Sequence, residues 1–109
     1  MSYKIIASAK FKKELKKLSK KYASLDSELE ELFDKLEENP AMGILLRLNV
    51  YKIRLAISSK NKGKSGGARV ITYIKIIDET AYLLSIYSKG EKDNISEDEL
   101  DDLLTDYQE

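Results

Sequence analysis

The sequence predicts an α+β fold: an N-terminal helical hairpin packed on an antiparallel sheet of three or four strands, with a short C-terminal helix. Three observations carry this. Apolar residues recur at helical spacing from Phe11 to Leu36, at spacing two from Ile44 to Tyr87, and at helical spacing again from Leu100 to Tyr107. A run of helices followed by a run of strands is the order of an α+β fold. At 109 residues the chain has the size of one small domain, so residues 1–109 are read as a single domain.

Residues 9–22 read as a helix, because Phe11, Leu15, Leu18 and Tyr22 fall on one face and lysines fill the other. Residues 25–38 read as a second, with Leu25, Leu29, Leu32, Phe33 and Leu36 as its stripe. Ser27 and Glu30 fit a capping box, which would set its start at Ser27. Asn39-Pro40 ends it, since the residue before proline is disfavoured in the α region. The short link at Ala23-Ser24 makes the two helices an antiparallel pair. The period then changes. Ile44, Leu46 and Leu48 alternate with Leu45 and Arg47; Tyr51, Ile53, Leu55 and Ile57 alternate with Lys52, Arg54, Ala56 and Ser58. Such alternation predicts strands with one buried and one open face, the open face of the second carrying Lys52 and Arg54. Residues 59–67 read as a basic, Gly-rich loop, 68–77 as a strand, Asp78-Glu79-Thr80 as a turn, and 81–88 as a strand antiparallel to its predecessor. Residues 3–7 are a further candidate strand. Ser96 and Glu99 form a second capping box, after which Leu100, Leu103, Leu104 and Tyr107 line one face of the last helix. Its acidic outer face is read as solvent-facing.

Composition narrows the chemistry. No cysteine is present, which excludes a disulfide framework and a thiolate zinc site. No histidine is present, which removes the commonest general base and metal ligand. Catalysis must run on Lys, Arg, Tyr, Asp or Glu, and neither a metal nor another cofactor is expected. No apolar run approaches the roughly 20 residues of a membrane span, and the N-terminus lacks a signal-peptide pattern, so a cytoplasmic protein is expected. The formal net charge of zero conceals blocks of +7 (residues 1–22), −6 (23–46), +7 (47–92) and −8 (93–109). Blocks of this kind steer partners more than the total does.

The second basic block lies on strands and a loop. Lys52 and Arg54 share a strand face, Lys60, Lys62 and Lys64 line the loop, Arg69 opens the next strand, and Tyr87, Lys89 and Lys92 close the last one. In a strand meander these groups converge on one positive surface. Lys and Arg bind phosphates without regard to sequence, Arg with two donors and Lys as a point charge. RNA cleavage by its own 2′-OH needs a proton acceptor, charge stabilisation at phosphorus and a proton donor to the leaving 5′-oxygen. Clustered cations supply the second, and mutual repulsion lowers a lysine pKa towards that of a usable base. Basic strands also bind DNA or acidic proteins, so the residues alone leave the partner open. Arg69 paired with an acid, Tyr87 as a half-buried core residue and Lys10 to Lys21 as a solvated helix face are the plain structural readings; those lysines also suit ribosomal RNA. Gly63-Lys64-Ser65 is not a nucleotide-binding P-loop, because position 58 is Ser58 and a strand follows where a helix is required.

Tyr51-Lys52-Ile53-Arg54, the run Gly63-Lys64-Ser65-Gly66-Gly67-Ala68-Arg69-Val70-Ile71, and Leu83-Leu84-Ser85-Ile86-Tyr87-Ser88-Lys89, in this order, resemble the RelE/ParE superfamily of type II toxin–antitoxin toxins, most of all its HigB-like and RelE branch. The resemblance covers roughly residues 44–100. It implies two helices on an antiparallel sheet and metal-free, ribosome-dependent cleavage of mRNA. It implies that Arg69 stabilises the scissile phosphate, that Lys52 and Arg54 form the basic pair from which a base is drawn, and that Lys89 aids the leaving oxygen. Lys60, Lys62, Lys64, Tyr87 and Lys92 are then RNA-binding. The partners implied are a cognate antitoxin of helix-turn-helix type, the ribosome and mRNA. The same superfamily holds ParE-type gyrase inhibitors, and a toxin acting only as an antitoxin-binding, autoregulatory module is a third alternative. The density of Lys and Arg on the strands favours the ribonuclease.

Overall fold

The computed structural model describes residues 2–58, 66–92 and 94–107. Its elements run β1 (Lys4–Ala7), α1 (Ala9–Lys21), α2 (Leu25–Glu38), β2 (Ile44–Arg47), β3 (Val50–Leu55), β4 (Ala68–Lys75), β5 (Thr80–Ser88) and α3 (Glu97–Leu104). The strands form one sheet in the order β1-β5-β4-β3-β2. The expected meander β2-β3-β4-β5 is antiparallel throughout, and the candidate strand at the N-terminus is β1, which joins β5 in parallel. The sheet is therefore five-stranded and mixed, where three or four antiparallel strands were expected.

Both faces of the sheet are covered, which corrects the expectation of one open face. On one face Ile53, Val70 and Ile86 stand in register across β3, β4 and β5 and meet Phe11, Leu18, Leu25, Leu29, Leu32 and Leu36 of the helical hairpin. On the other, Val50, Ile71, Leu84 and Tyr87 pack against Leu100 and Leu104 of α3. The period-two pattern therefore sorts the two faces, and each apolar set finds an amphipathic helix. Three aromatic rings close the α3 end: Tyr73 and Tyr82 stack with centroids 6.3 Å apart, and Tyr107 lies 4.8 Å from Tyr82.

Local signals fared unequally. Ser8 caps α1 by accepting from the Phe11 N–H at 3.0 Å, and the Ser96–Glu99 capping box opens α3 as expected. The Ser27–Glu30 box does not form. Helix α2 begins at Leu25, two residues earlier, because Leu25 is fully buried, while Ser24 donates to Glu28 Oε1 at 3.0 Å. Core packing outweighs a capping interaction worth about 1 kcal/mol. The strand expected to reach residue 77 stops at Lys75. Ile76–Asp78 form a 3₁₀ turn, and Glu79 takes a left-handed conformation with φ +48° that reverses the chain into β5. In β5 the register shifts between Ser85, opposite Ile71, and Leu83, opposite Thr72, leaving Leu84 as an extra bulged residue.

A basic row across the central strands

Paired residues on neighbouring strands project to the same side of a sheet, with Cβ atoms about 5 Å apart. Arg54 on β3 pairs with Arg69 on β4, and Arg69 pairs with Tyr87 on β5. These three residues, separated by up to 33 positions in sequence, thus form a single row. Lys52, two residues before Arg54, stands on the same face opposite Ile71. This is the face covered by α3.

The row is graded in depth. Arg54 is exposed, whereas Arg69 and Tyr87 are each 1% exposed and Lys52 is 7% exposed. Tyr87 is a core residue and not half-buried as expected. Its ring packs with Leu100 and Leu104. The Arg69 guanidinium donates from Nη1 to the Ala68 carbonyl at 3.3 Å, and the Lys52 ammonium donates to Asn94 Oδ1 at 3.3 Å. Lys89 follows β5 in a turn, is exposed, and donates its backbone N–H to the Gly67 carbonyl at 3.0 Å, tying the β5 end to the start of β4. Lys92 returns over the site: its ammonium lies 4.8 Å from the centre of the Tyr87 ring and pairs with the Glu99 carboxylate. Lys60, Lys62 and Lys64 lie outside the described residues, as does most of the predicted basic loop.

Sequence reasoning missed the residues that hold α3 in place. Its acidic face is not merely solvated: Arg47 on edge strand β2 donates to Asp101 at 2.8 Å and to Glu97. The Arg47 pKa is held above its ordinary value, first by the hydrogen bond to Asp101. The Glu99 carboxyl is held below the usual range, first by the hydrogen bond from Lys92 and then by the Ser96 backbone N–H. The signal lay in the charge blocks, where a +7 segment is followed by a −8 segment. Glu14 was also missed. It accepts from the Ser85 hydroxyl at 2.8 Å and from the Ile86 N–H at 3.3 Å, on the edge of β5 beyond the reach of β1.

The site is open to the surface, and a hollow of about 310 Å³ beside Arg54 is bordered by Glu28, Lys35 and Ser58. A cleft between α1 and α3, whose lining includes Lys10, Ser85, Lys92, Glu99 and Asp102, has a volume of about 190 Å³. That is below the roughly 300–1,000 Å³ typical of small-molecule sites. Arginine and lysine graded across strands beside exposed Lys89 suit an extended polyanion. None of the described helices is long and apolar enough to cross a membrane.

The architecture matches that of a known toxin. The chain aligns with E. coli toxin RelE, a double arginine-to-alanine variant in the free state, at a TM-score of 0.64 over 99% of this chain and 100% of that one, with 14% identity. It aligns with the isolated E. coli RelE toxin at a TM-score of 0.58 over 95% and 98% of the two chains, with 16% identity. The sequence profile of the family described as RelE toxin of RelE / RelB toxin-antitoxin system matches residues 4–106. The chain belongs to the RelE toxin family, and is thus a toxin of the toxin–antitoxin class for which an antitoxin partner is implied.

Proposed function

We propose that this toxin is a ribosome-dependent mRNA endoribonuclease that inhibits translation by directing the message's own 2′-OH onto the adjacent phosphorus. The P–O2′ bond forms as the P–O5′ bond breaks. The products are a 2′,3′-cyclic phosphate and a 5′-hydroxyl, and the proton lost by the 2′-OH is matched by one delivered to the 5′-oxygen.

The observation that carries this reading is the cross-strand row Arg54–Arg69–Tyr87 with Lys52 beside it. A pentavalent phosphorane gains negative charge on its non-bridging oxygens. Fixed cations in a partly desolvated place stabilise that charge without reorganising. Arg69 is the phosphorane stabiliser. Lys52 and Arg54 form the basic pair, with Lys52, the more buried, as the proton acceptor. Lys89 at the strand end protonates the leaving oxygen. Lys60, Lys62, Lys64 and Lys92 hold the RNA on either side, while Tyr87, expected among them, lies buried beneath Lys92 and supports that end of the row. Since Arg69 and Lys52 are covered here, the exposed Arg54 and Lys89 meet the message first, and the segment carrying Asn94 yields when the phosphate reaches Lys52. These roles need no metal. The cognate antitoxin, of helix-turn-helix type, covers this basic face, and the protein acts in the cytoplasm.

The test is a cell-free translation reaction with message ends mapped by primer extension, beside the same RNA without ribosomes. Cuts confined to the translated region, and lost with Arg69→Ala, are expected. Intact message in both tubes, with folded protein, would sink the proposal and leave gyrase inhibition or a purely antitoxin-binding role.

A further inference from the structure

The hollow beside Arg54 lies where β3 runs on past the end of β2. The last β3 residue that β2 pairs is Lys52, opposite Ile44. In an antiparallel ladder the N–H and C=O of one residue point to the same side, and successive residues alternate. Two glycines fix the phase. A Cβ on Gly43 would lie 2.4 Å from the Lys52 carbonyl oxygen, and one on Gly67 would lie 1.9 Å from the Leu55 carbonyl oxygen. The Lys52 backbone therefore faces β2 and the Leu55 backbone faces β4. Arg54 faces the β2 side again, beyond the last β2 pair. Among the described residues no backbone group meets its N–H and C=O there. This open strand edge borders the hollow of about 310 Å³.

The walls of the hollow divide into fixed and unengaged parts. Leu32, Met42, Ile53 and Leu55 supply apolar surface, with Leu32 and Ile53 buried. The Glu28 carboxylate is fully used: it accepts from the Ser24 hydroxyl at 3.0 Å and from the Ser58 N–H and hydroxyl, each at 2.7 Å. That fixes one rim. Glu31 and Lys35 stand one turn apart on α2, both exposed, and neither side chain has a partner among the described residues. An apolar wall thus faces a free carboxylate, a free ammonium and an open amide edge.

We propose that this hollow is a nucleobase subsite, which takes one base of the message and prefers a base with an exocyclic amino group (adenine, cytosine or guanine) to uracil. Arg54 belongs both to the row and to the hollow. A nucleotide whose phosphate rests on the row can therefore swing its base round the β3 edge. The Arg54 amide edge offers one donor and one acceptor, and every base carries an adjacent donor and acceptor. Selection falls to Glu31, because a carboxylate accepts from an amino group and repels a carbonyl oxygen. Lys35 offers a cation to a flanking phosphate. An added peptide strand fits less well. Strands usually run three residues or more, whereas β3 ends at Leu55 and leaves Arg54 as its one residue with a free edge on this side. The inference rests on the ribonuclease reading and names the base preference of that same site.

Two readouts test it. In the first, isotope-labelled native chain is titrated with adenosine, cytidine, guanosine and uridine 5′-monophosphates while backbone amide signals are followed. The Arg54 amide should respond to the three amino-bearing nucleotides, with uridine monophosphate binding about tenfold or more weakly. In the second, cut sites from the cell-free translation reaction are pooled over many codons. An amino-bearing base should be favoured over uracil by about tenfold or more at one fixed position beside the cut. Glu31→Gln should bring that preference close to parity, since its amide can donate to a uracil carbonyl. Asp34→Asn, on the same helix but outside the hollow, should leave it unchanged. An Arg54 amide that no nucleotide moves would overturn the subsite, as would a base preference that survives Glu31→Gln. Protection of the Arg54 amide in the toxin–antitoxin complex, with no response to any nucleotide, would also overturn it by giving the edge to protein. Selective response of the Arg54 amide without any message cleavage would sink the cleavage reading alone.

Discussion

The Lys92 ammonium lies 4.8 Å from the centre of the Tyr87 ring and at the same time pairs with Glu99. One side chain thus links β5, the segment after it and α3. A cation over an aromatic face contributes about 0.5–1 kcal/mol at a partly exposed position. Lys92→Met keeps the stem and removes the charge. It should lower stability by about 1 kcal/mol, a fall of several degrees in Tm for a domain of this size. Lys92→Arg should keep most of the stability. Thermal denaturation of the native chain and the two variants decides this, and an unchanged midpoint in Lys92→Met would remove the link.

Glu99 gives this link a pH dependence. Its folded-state pKa is depressed, chiefly by the Lys92 hydrogen bond. A depressed carboxyl adds stability that is fully present above its unfolded value, about 4.3, and is lost as pH falls through the folded value. Urea midpoints should therefore drop as pH falls from about 5 into the acid range, and Glu99→Gln should flatten that part of the profile. An equally steep profile in the Gln variant would assign the acid loss to other carboxylates.

Arg47 fastens α3 to the opposite edge of the sheet through Asp101 and Glu97. The pairs stand in solvent, so a double-mutant cycle between Arg47 and Asp101 should return a small favourable coupling that shrinks in high salt. Hydrogen exchange supplies a second readout: in Arg47→Ala, amides of Leu103 and Leu104 should exchange faster while those of Val70 and Ile86 stay protected. Uniform acceleration across sheet and helix would mean global destabilisation instead.

Gly67 sets the start of the row. A Cβ added there would lie 1.9 Å from the Leu55 carbonyl oxygen, so β4 could not keep its seat against β3. Gly67→Ala should cost about 1–3 kcal/mol or more and should also displace Arg69 from Arg54, reducing message cleavage beyond what the stability loss explains. Ala68→Gly, next to it, serves as the comparison, with destabilisation but retained geometry.

In the hydrophobic core, Leu36→Ala should cost about 2–5 kcal/mol, because Leu36 is fully buried between α2 and the sheet. Leu48→Ala should stay within about 0.5 kcal/mol, since Leu48 is 80% exposed. Denaturant midpoints at matched slopes test both.

The order and kind of the elements were legible in the chain before any contact was known. Phe11, Leu15 and Leu18 repeat with the period of a helix, and Ile53, Leu55 and Ile57 with the period of a strand, and those periods are local properties of the backbone. The same periods show which side chains share a face, hence that Lys52 and Arg54 stand together. The run ending in Arg69-Val70-Ile71 carried the family. Register belonged to the tertiary structure. Nothing local aligns Arg54 with Arg69 and Arg69 with Tyr87, because cross-strand pairing depends on loop closure, bulges and the packing of both faces at once. Depth was decided in the same way. A lysine on a strand reads as exposed from its own neighbours, and Lys52 is covered only because residues more than 40 positions later fold back over it. For the same reason the acids of α3 found Arg47 and Lys92, and Ser27 lost its capping role to the burial of Leu25: local preferences of about 1 kcal/mol yield to the larger free energy of closing a core.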